Sequence, residues 1–192
     1  MAGDTITNTN AAFWEKIRQG DEDAFRQLYE QNADWLYGYG MKITGNDDLV
    51  TEAIQTLFVY IFEKRKTCSM PKSITAYLCI SLKRILINEL KKGYNETFKS
   101  LDEVELSEYN FDLEIDVETA IVRSELKKEQ LDFLQKELNS LTRQQREVLY
   151  LKYYKGLSSD EIAQVMGLTS RTVYNTAYMA ISRLRGRLVP LL

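Results

Sequence analysis

Residues 157–188 read "LSSDEIAQVMGLTSRTVYNTAYMAISRLRGRL", and the parsing of the whole chain starts here. Ser158 and Glu161 have the spacing of a capping box. In that device a hydroxyl takes an orphan N–H at a helix start, and the acid three residues on reaches back to the cap's own N–H. Gly167 ends the short helix so begun, because glycine turns into the left-handed region without a Cβ clash. Thr169 or Ser170 then offers the oxygen that starts a second helix, which runs to Pro190. Val173, Ala177, Ile181, Leu184 and Leu188 recur at helical spacing and predict its buried stripe. Ala163 is small enough for two helices to approach closely, and Ile162, Val165 and Val173 can seal the corner between them. A capped short helix, a glycine turn and a longer helix make a helix-turn-helix pattern.

Arg171, Thr172, Tyr174, Asn175 and Tyr178 fall outside the predicted stripe, in the N-terminal half of the longer helix. Hydrogen-bonding and stacking groups at this end are what a recognition helix presents to base edges. Arg183, Arg185 and Arg187 follow, at phosphate-contacting positions. The chain as a whole is nevertheless acidic, with 28 Asp+Glu against 25 Lys+Arg, whereas DNA binders carry positive surfaces. Segregation resolves the conflict. Residues 143–192 hold 8 basic and 3 acidic groups, and residues 63–99 hold 9 basic and 3 acidic. Residues 100–122 hold no basic group and 8 acids: Asp102, Glu103, Glu105, Glu108, Asp112, Glu114, Asp116 and Glu118. Two basic regions flanking an acidic one point to a polyanion partner.

Helical periods and breakers organise the remainder. Thr142 and Gln145 open another capping box, and Gly156 closes the helix that follows. Gly20–Asp21 marks a helix start and Gly45 a stop, with Phe25, Leu28, Tyr29 and Leu36 spaced between them. In "NDDLVTEAIQTLFVYIFEKRK", residues 46–66, the stripe is Val50, Ile54, Leu57, Phe58 and Ile61. Asp47, Asp48 and Glu52 suit the positive end of that helix. "KRKTCSMPKS", residues 64–73, reads as a loop. In "ITAYLCISLKRILINELKKG", residues 74–93, Leu78, Leu82, Ile85 and Glu89 share one side, and Lys83, Arg84, Lys91 and Lys92 share another. The chain therefore reads as all-α, with two small helical domains at residues 10–94 and 118–192 joined by an acidic linker at 95–117.

Composition excludes several classes of function. There is no histidine and there are only two cysteines, so neither a His-based general base nor a thiolate zinc site is expected. No glycine-rich phosphate loop and no GxSxG element is present. The chain reads as a non-enzyme with no catalytic residues, no metal and no cofactor. The N-terminus lacks the pattern of a secretory signal and no apolar run is long enough to span a bilayer, so a cytoplasmic location without membrane insertion is expected.

The residues from Leu141 to Leu188 resemble region 4 of the sigma-70 family of RNA polymerase sigma factors. "DEDAFRQLYEQNADWLYGYGMKITG" with the two helical stretches after it is similar to region 2. The two in this order, without a region 3 domain between them, resemble the extracytoplasmic-function (ECF) subgroup. The resemblance implies that the partners are core RNA polymerase and promoter DNA, with an anti-sigma factor as a further possible partner. It implies that "EAIQTLF" grips the β′ clamp helices through Glu52, Gln55 and Phe58, and that region 4 also sits on the β flap. It assigns capture of a flipped −10 base to the loop at 64–73, with Lys64, Lys66 and Lys72. Lys83, Arg84, Lys91 and Lys92 would lie along the promoter backbone. Arg171, Thr172, Tyr174, Asn175, Tyr178 and Arg183 would read the −35 element. It further implies an acidic linker that occupies a basic polymerase channel until the transcript displaces it. Two positions depart from the family pattern. Met179 stands where a basic residue is common, and Tyr77-Leu78 with Arg84 stands where Trp-Leu and a later Asn are common. The alternative reading is a helix-turn-helix regulator that binds an operator without core polymerase, which would need no clamp-gripping surface.

Overall fold

A computed structural model describes residues 2–92, 109–113 and 128–188, with side chains described from Ala11 onward except those of Glu129 and Leu188. The chain divides into two compact units, Met1–Tyr109 and Asn110–Leu192. Among the described residues every regular element is helical and none is a strand, as the sequence predicts.

The first unit holds α1 (Ala2–Gln19), α2 (Glu22–Thr44), α3 (Asp47–Lys64) and α4 (Ile74–Lys92). Helices α2, α3 and α4 pack pairwise, and α1 joins through α2. Asp21 caps α2 by accepting from the Ala24 N–H, and Asn46 caps α3 by accepting from the Leu49 N–H. The α2–α3 corner turns at Gly45, whose φ of 64° lies in the left-handed region and whose N–H bonds to the Met41 carbonyl. The α3 stripe of Val50, Ile54, Leu57, Phe58 and Ile61 is buried throughout. Gly40 lets α2 approach it closely: a Cβ there would stand 2.7 Å from Val50 Cγ1. Tyr29, placed by its spacing on the same stripe, is instead 44% exposed, and its ring meets Phe58 edge-to-face at 4.9 Å between centroids. Tyr109 closes the unit, buried, with the Lys83 ammonium 5.0 Å from its ring centroid.

The second unit holds α5 (Lys128–Asn139), α6 (Arg143–Leu149), a π-helical turn (Tyr150–Tyr154), α7 (Ser159–Met166) and α8 (Ser170–Leu188). Both predicted capping boxes form, Thr142 with Gln145 and Ser158 with Glu161. The chain was read as one helix from Thr142 to Gly156; in fact it widens into the π turn, buries Tyr150 and Leu151, and exposes Tyr153 and Tyr154. Widening by one residue rotates the following side chains relative to an α-helix, and a count of apolar positions does not reveal it. Leu138, Leu141, Leu149, Ala180 and Leu184 form one core cluster, with Leu113, Leu134 and Ile181 packed against it.

The segment read as linker, 95–117, is described only at Tyr109–Leu113, and the rest of it lies outside the described residues. Of those five residues Tyr109 is buried in the first unit, and Phe111 and Leu113 pack within the second. Phe111 is fully buried against Tyr150, with ring centroids 5.6 Å apart. Asn110 and Asp112 are exposed, and the Asn110 amide donates to the Asp112 carboxylate at 3.1 Å. Alternate residues facing in and out define an extended strap. Its apolar residues offset the entropy of ordering it.

Candidate nucleic-acid interface

The second unit presents one polar, aromatic face. Gly167 adopts φ 65° and its N–H returns to the Ala163 carbonyl, which turns the chain between α7 and α8. Ile162, Ala163, Val165 and Val173 are buried at this corner, so the seal that the sequence predicts is made. Thr169, of the two candidates, caps α8: its hydroxyl accepts from the Thr172 N–H at 3.1 Å and lies 2.8 Å from the Thr172 hydroxyl. Ser170 instead donates to the Asp160 carboxylate, tying the start of α8 to α7. The stripe of Val173, Ala177 and Leu184 is buried, with Ala180 added to it and Ile181 half-buried.

Outside the stripe stand Arg171, Thr172, Tyr174, Asn175 and Tyr178, all exposed. Tyr174 and Tyr178 lie one helical turn apart, at 62% and 65% exposure, and Met179 beside them is equally open. Burying such side chains on a helix surface would lower their free energy, so their exposure marks a face shaped for contact. Arg183 and Arg185 extend the basic character along the helix. Arg187 does not join them, because its guanidinium holds the buried Glu137 carboxylate at 3.0 and 3.1 Å. That arginine serves the core, a role invisible in the sequence because its partner lies fifty residues away.

The first unit carries the second basic region. Lys64, Lys66, Lys72, Arg84 and Lys92 are exposed and Lys91 is half-buried. Lys92 also pairs with Glu89 at 2.6 Å, which places Glu89 at the surface rather than on the buried side. Lys83 is a correction. It was assigned to the exposed basic face with Arg84, but its side chain is only 2% exposed. It sits four residues after Cys79 and three before Leu86, both fully buried, so the helical period carries it inward. Its stem packs in the core while its ammonium faces the Tyr109 ring.

The loop between α3 and α4 is anchored from two sides. The Arg18 guanidinium donates to the Lys66 carbonyl at 3.5 Å, and the Thr67 hydroxyl to the Lys64 carbonyl at 3.0 Å. Beneath the loop, Tyr77 meets Trp14 edge-on at 5.7 Å. Burial, then the neighbouring Cys68 thiol and Tyr60, push the Tyr77 hydroxyl up to about 12. Of the three polymerase-facing candidates on α3, Glu52 and Gln55 are exposed. Phe58 is 4% exposed and packs on Phe25 and Tyr29, so it is a core residue rather than a contact. The large apolar groups exposed on that helix are Val59, Tyr60 and Phe62, none of them in the contact set that the resemblance implies. Their positions one and two residues off the buried stripe were the available signal.

Among the described residues, no cluster of His, Cys, Asp and Glu could hold a metal ion, and no helix is long and apolar enough to cross a membrane. Comparison with known proteins bears on the same face. Residues 133–184, which contain α6, α7 and most of α8, match the family model "Sigma-70, region 4". No curated protein sequence matches the chain. Among solved structures, the sigma factor RpoE from Bartonella quintana, in complex with the anti-sigma factor NepR, is similar at a TM-score of 0.56 and 20% identity. The alignment covers 86% of this chain and 96% of that one. CnrH, in complex with the cytosolic domain of CnrY, is similar at a TM-score of 0.54 and 19% identity, over 93% of this chain and 96% of that one. These likenesses show a shared fold along both units, and the matched region 4 contains the helix-turn-helix whose geometry is described above. Residues 133–184 thus carry the pattern of sigma-70 region 4 on this helix-turn-helix.

Proposed function

We propose that this chain is a member of the sigma-70 family and works as an ECF-type sigma factor. It binds core RNA polymerase, reads the −35 and −10 elements of a promoter and assists DNA melting, without catalytic residues or a cofactor of its own. The observation that carries the reading is the exposed row Arg171, Thr172, Tyr174, Asn175 and Tyr178 on a capped helix at a glycine turn. Bidentate and amide donors there fit base edges, and two tyrosines offer stacking or methyl contacts. Arg183 adds a charge for the backbone.

The first unit supplies what a plain repressor has no use for. Its exposed Lys64, Lys66 and Lys72 lie on the loop at 64–73, where a strand of DNA would be held, and Arg84 and Lys92 add positive charge on α4. Glu52 and Gln55 on α3, with Val59 and Tyr60 beside them, fit a surface for polymerase. Extracting a base from the stack costs a few kcal/mol, which a pocket and stacking groups recover. The two structural relatives are complexes in which the partner of RpoE is an anti-sigma factor and that of CnrH is CnrY. We infer that an anti-sigma factor is a partner of this chain as well.

In vitro transcription with purified core polymerase tests the reading. Specific, factor-dependent initiation from a subset of promoters is the expected result. Operator binding without any association with core polymerase would overturn it in favour of a repressor-like regulator.

A further inference from the structure

The strap at Asn110–Leu113 lies outside the matched region 4 range, yet the second unit grips it through a built groove. Arg146 Nε donates to the Phe111 carbonyl at 2.7 Å, and Arg146 Nη2 to Asn110 Oδ1 at 3.2 Å. Gln135 Nε2 donates to the Leu113 carbonyl at 2.9 Å. The same guanidinium is fixed from behind, because Arg146 Nη1 donates to the Asn139 and Leu141 carbonyls at 3.2 and 2.9 Å. It is therefore held in place by the α5–α6 corner independently of the strap. The apolar part of the groove takes Phe111 edge-on against Tyr150 and Leu113 against the Leu138–Leu184 cluster. Tyr150 stacks in turn on Tyr154, which is 72% exposed, so the aromatic platform continues to the surface.

The contacts from Arg146 Nε and Gln135 Nε2 fall on main-chain carbonyls, which any peptide offers. Side-chain selectivity rests on an aromatic residue and an apolar residue two positions later. Charge adds to it: a guanidinium faces a segment that carries Asp112 and is preceded and followed in sequence by Glu108 and Glu114. We propose that this groove is a peptide-docking site. The free chain fills it with its own strap, and an extended partner segment with the pattern aromatic–acidic–apolar replaces that strap. Arg171, Tyr174, Asn175 and Tyr178 take no part in these strap contacts, so exchange leaves the recognition face open. The proposal does not depend on the promoter reading.

The probe is a fluorescein-labelled peptide of residues 107–115, "SEYNFDLEI", added to the full chain. With the strap in place the groove is available only in the fraction of molecules that have released it, and apparent affinity falls by that fraction. The full-length Phe111→Ala variant should bind the peptide about tenfold or more tighter than the wild-type chain. A peptide with Ala in place of its Phe should not bind. Arg146→Lys in the same background should weaken binding, because an ammonium keeps the charge but not the fork of donors. Equal binding to wild type and variant, or no binding to a folded variant, would overturn the proposal. A measurement on the wild-type chain guards against an unfolded variant. In hydrogen exchange the amides of residues 111–113 should open independently of those in α6 and α8. Exchange of all three segments only in a single global event would make the strap an inseparable part of the core and end the idea.

Discussion

Arg171 stands in the first turn of α8 with its side chain exposed, the position from which the proposed reading has it meet a base. If it pairs with a base edge, Arg171→Ala should cost about 1–3 kcal/mol on the cognate −35 sequence and far less on scrambled DNA. Equal losses on both, seen by fluorescence anisotropy of the polymerase-bound factor, would make it a phosphate contact. Tyr77 gives a test in the other unit that needs no DNA. Its phenol titrates near 12 in the folded chain, against the usual 10. The raised value means that the contribution to stability is complete below about pH 10 and lost as pH rises toward 12. An ultraviolet titration should therefore show a late-titrating component that is lost in Tyr77→Phe. Lys83 and Arg187 show why some residue roles were illegible. Helical spacing could have placed Lys83 inward, between Cys79 and Leu86, had charge not been allowed to overrule period. Arg187 had no such clue, since its fate depends on a carboxylate brought close only by tertiary packing.

At the scale of elements, the sequence was most informative where local chemistry alone determines conformation. Caps at Thr142 and Ser158 and the left-handed turns at Gly45, Gly156 and Gly167 are satisfied within four or five residues, so they could be read directly. The π turn at Tyr150–Tyr154 could not, because the apolar spacing of this stretch fits an α-helix equally well, and the contact of Tyr150 with Phe111 is tertiary. The strap was legible in principle: Tyr109, Phe111 and Leu113 alternate with Asn110 and Asp112. The acidity around it drew attention away from a period of two. Two substitutions measure the elements themselves. Gly40→Ala would drive a methyl to 2.7 Å from Val50 Cγ1 and 3.4 Å from Leu86 Cδ1. Overpacking of this kind should cost about 1–3 kcal/mol in thermal or urea unfolding of the first unit. Gly167→Ala should cost about 1 kcal/mol, from a side chain forced to φ 65°. The second change should also weaken −35 recognition while leaving −10 contacts unaltered, because it acts on the angle between α7 and α8.

Across the whole molecule the governing quantity is where charge lies. The acids at 102–118 sit in sequence between two basic regions, and all three travel on one chain. A tethered polyanion acts on nearby cationic surfaces at high effective concentration. Replacing the eight acids with Asn and Gln moves the net charge from −3 to +5. The exchange at Asp112 keeps an oxygen for the Asn110 amide, which now bonds it at 3.1 Å. The neutralised chain should bind promoter DNA without polymerase about tenfold more tightly at low salt. That gain should fade as the Debye length falls below about 10 Å, near 0.1 M salt. If the acidic stretch also lies in a basic channel of the polymerase, the same variant should bind core polymerase more weakly. It should also release fewer abortive transcripts, because less must be displaced as RNA grows. Unchanged core affinity together with unchanged promoter escape would reduce the acids to a soluble spacer. A gain in free DNA binding without either change would confine their role to keeping the unassembled factor off DNA.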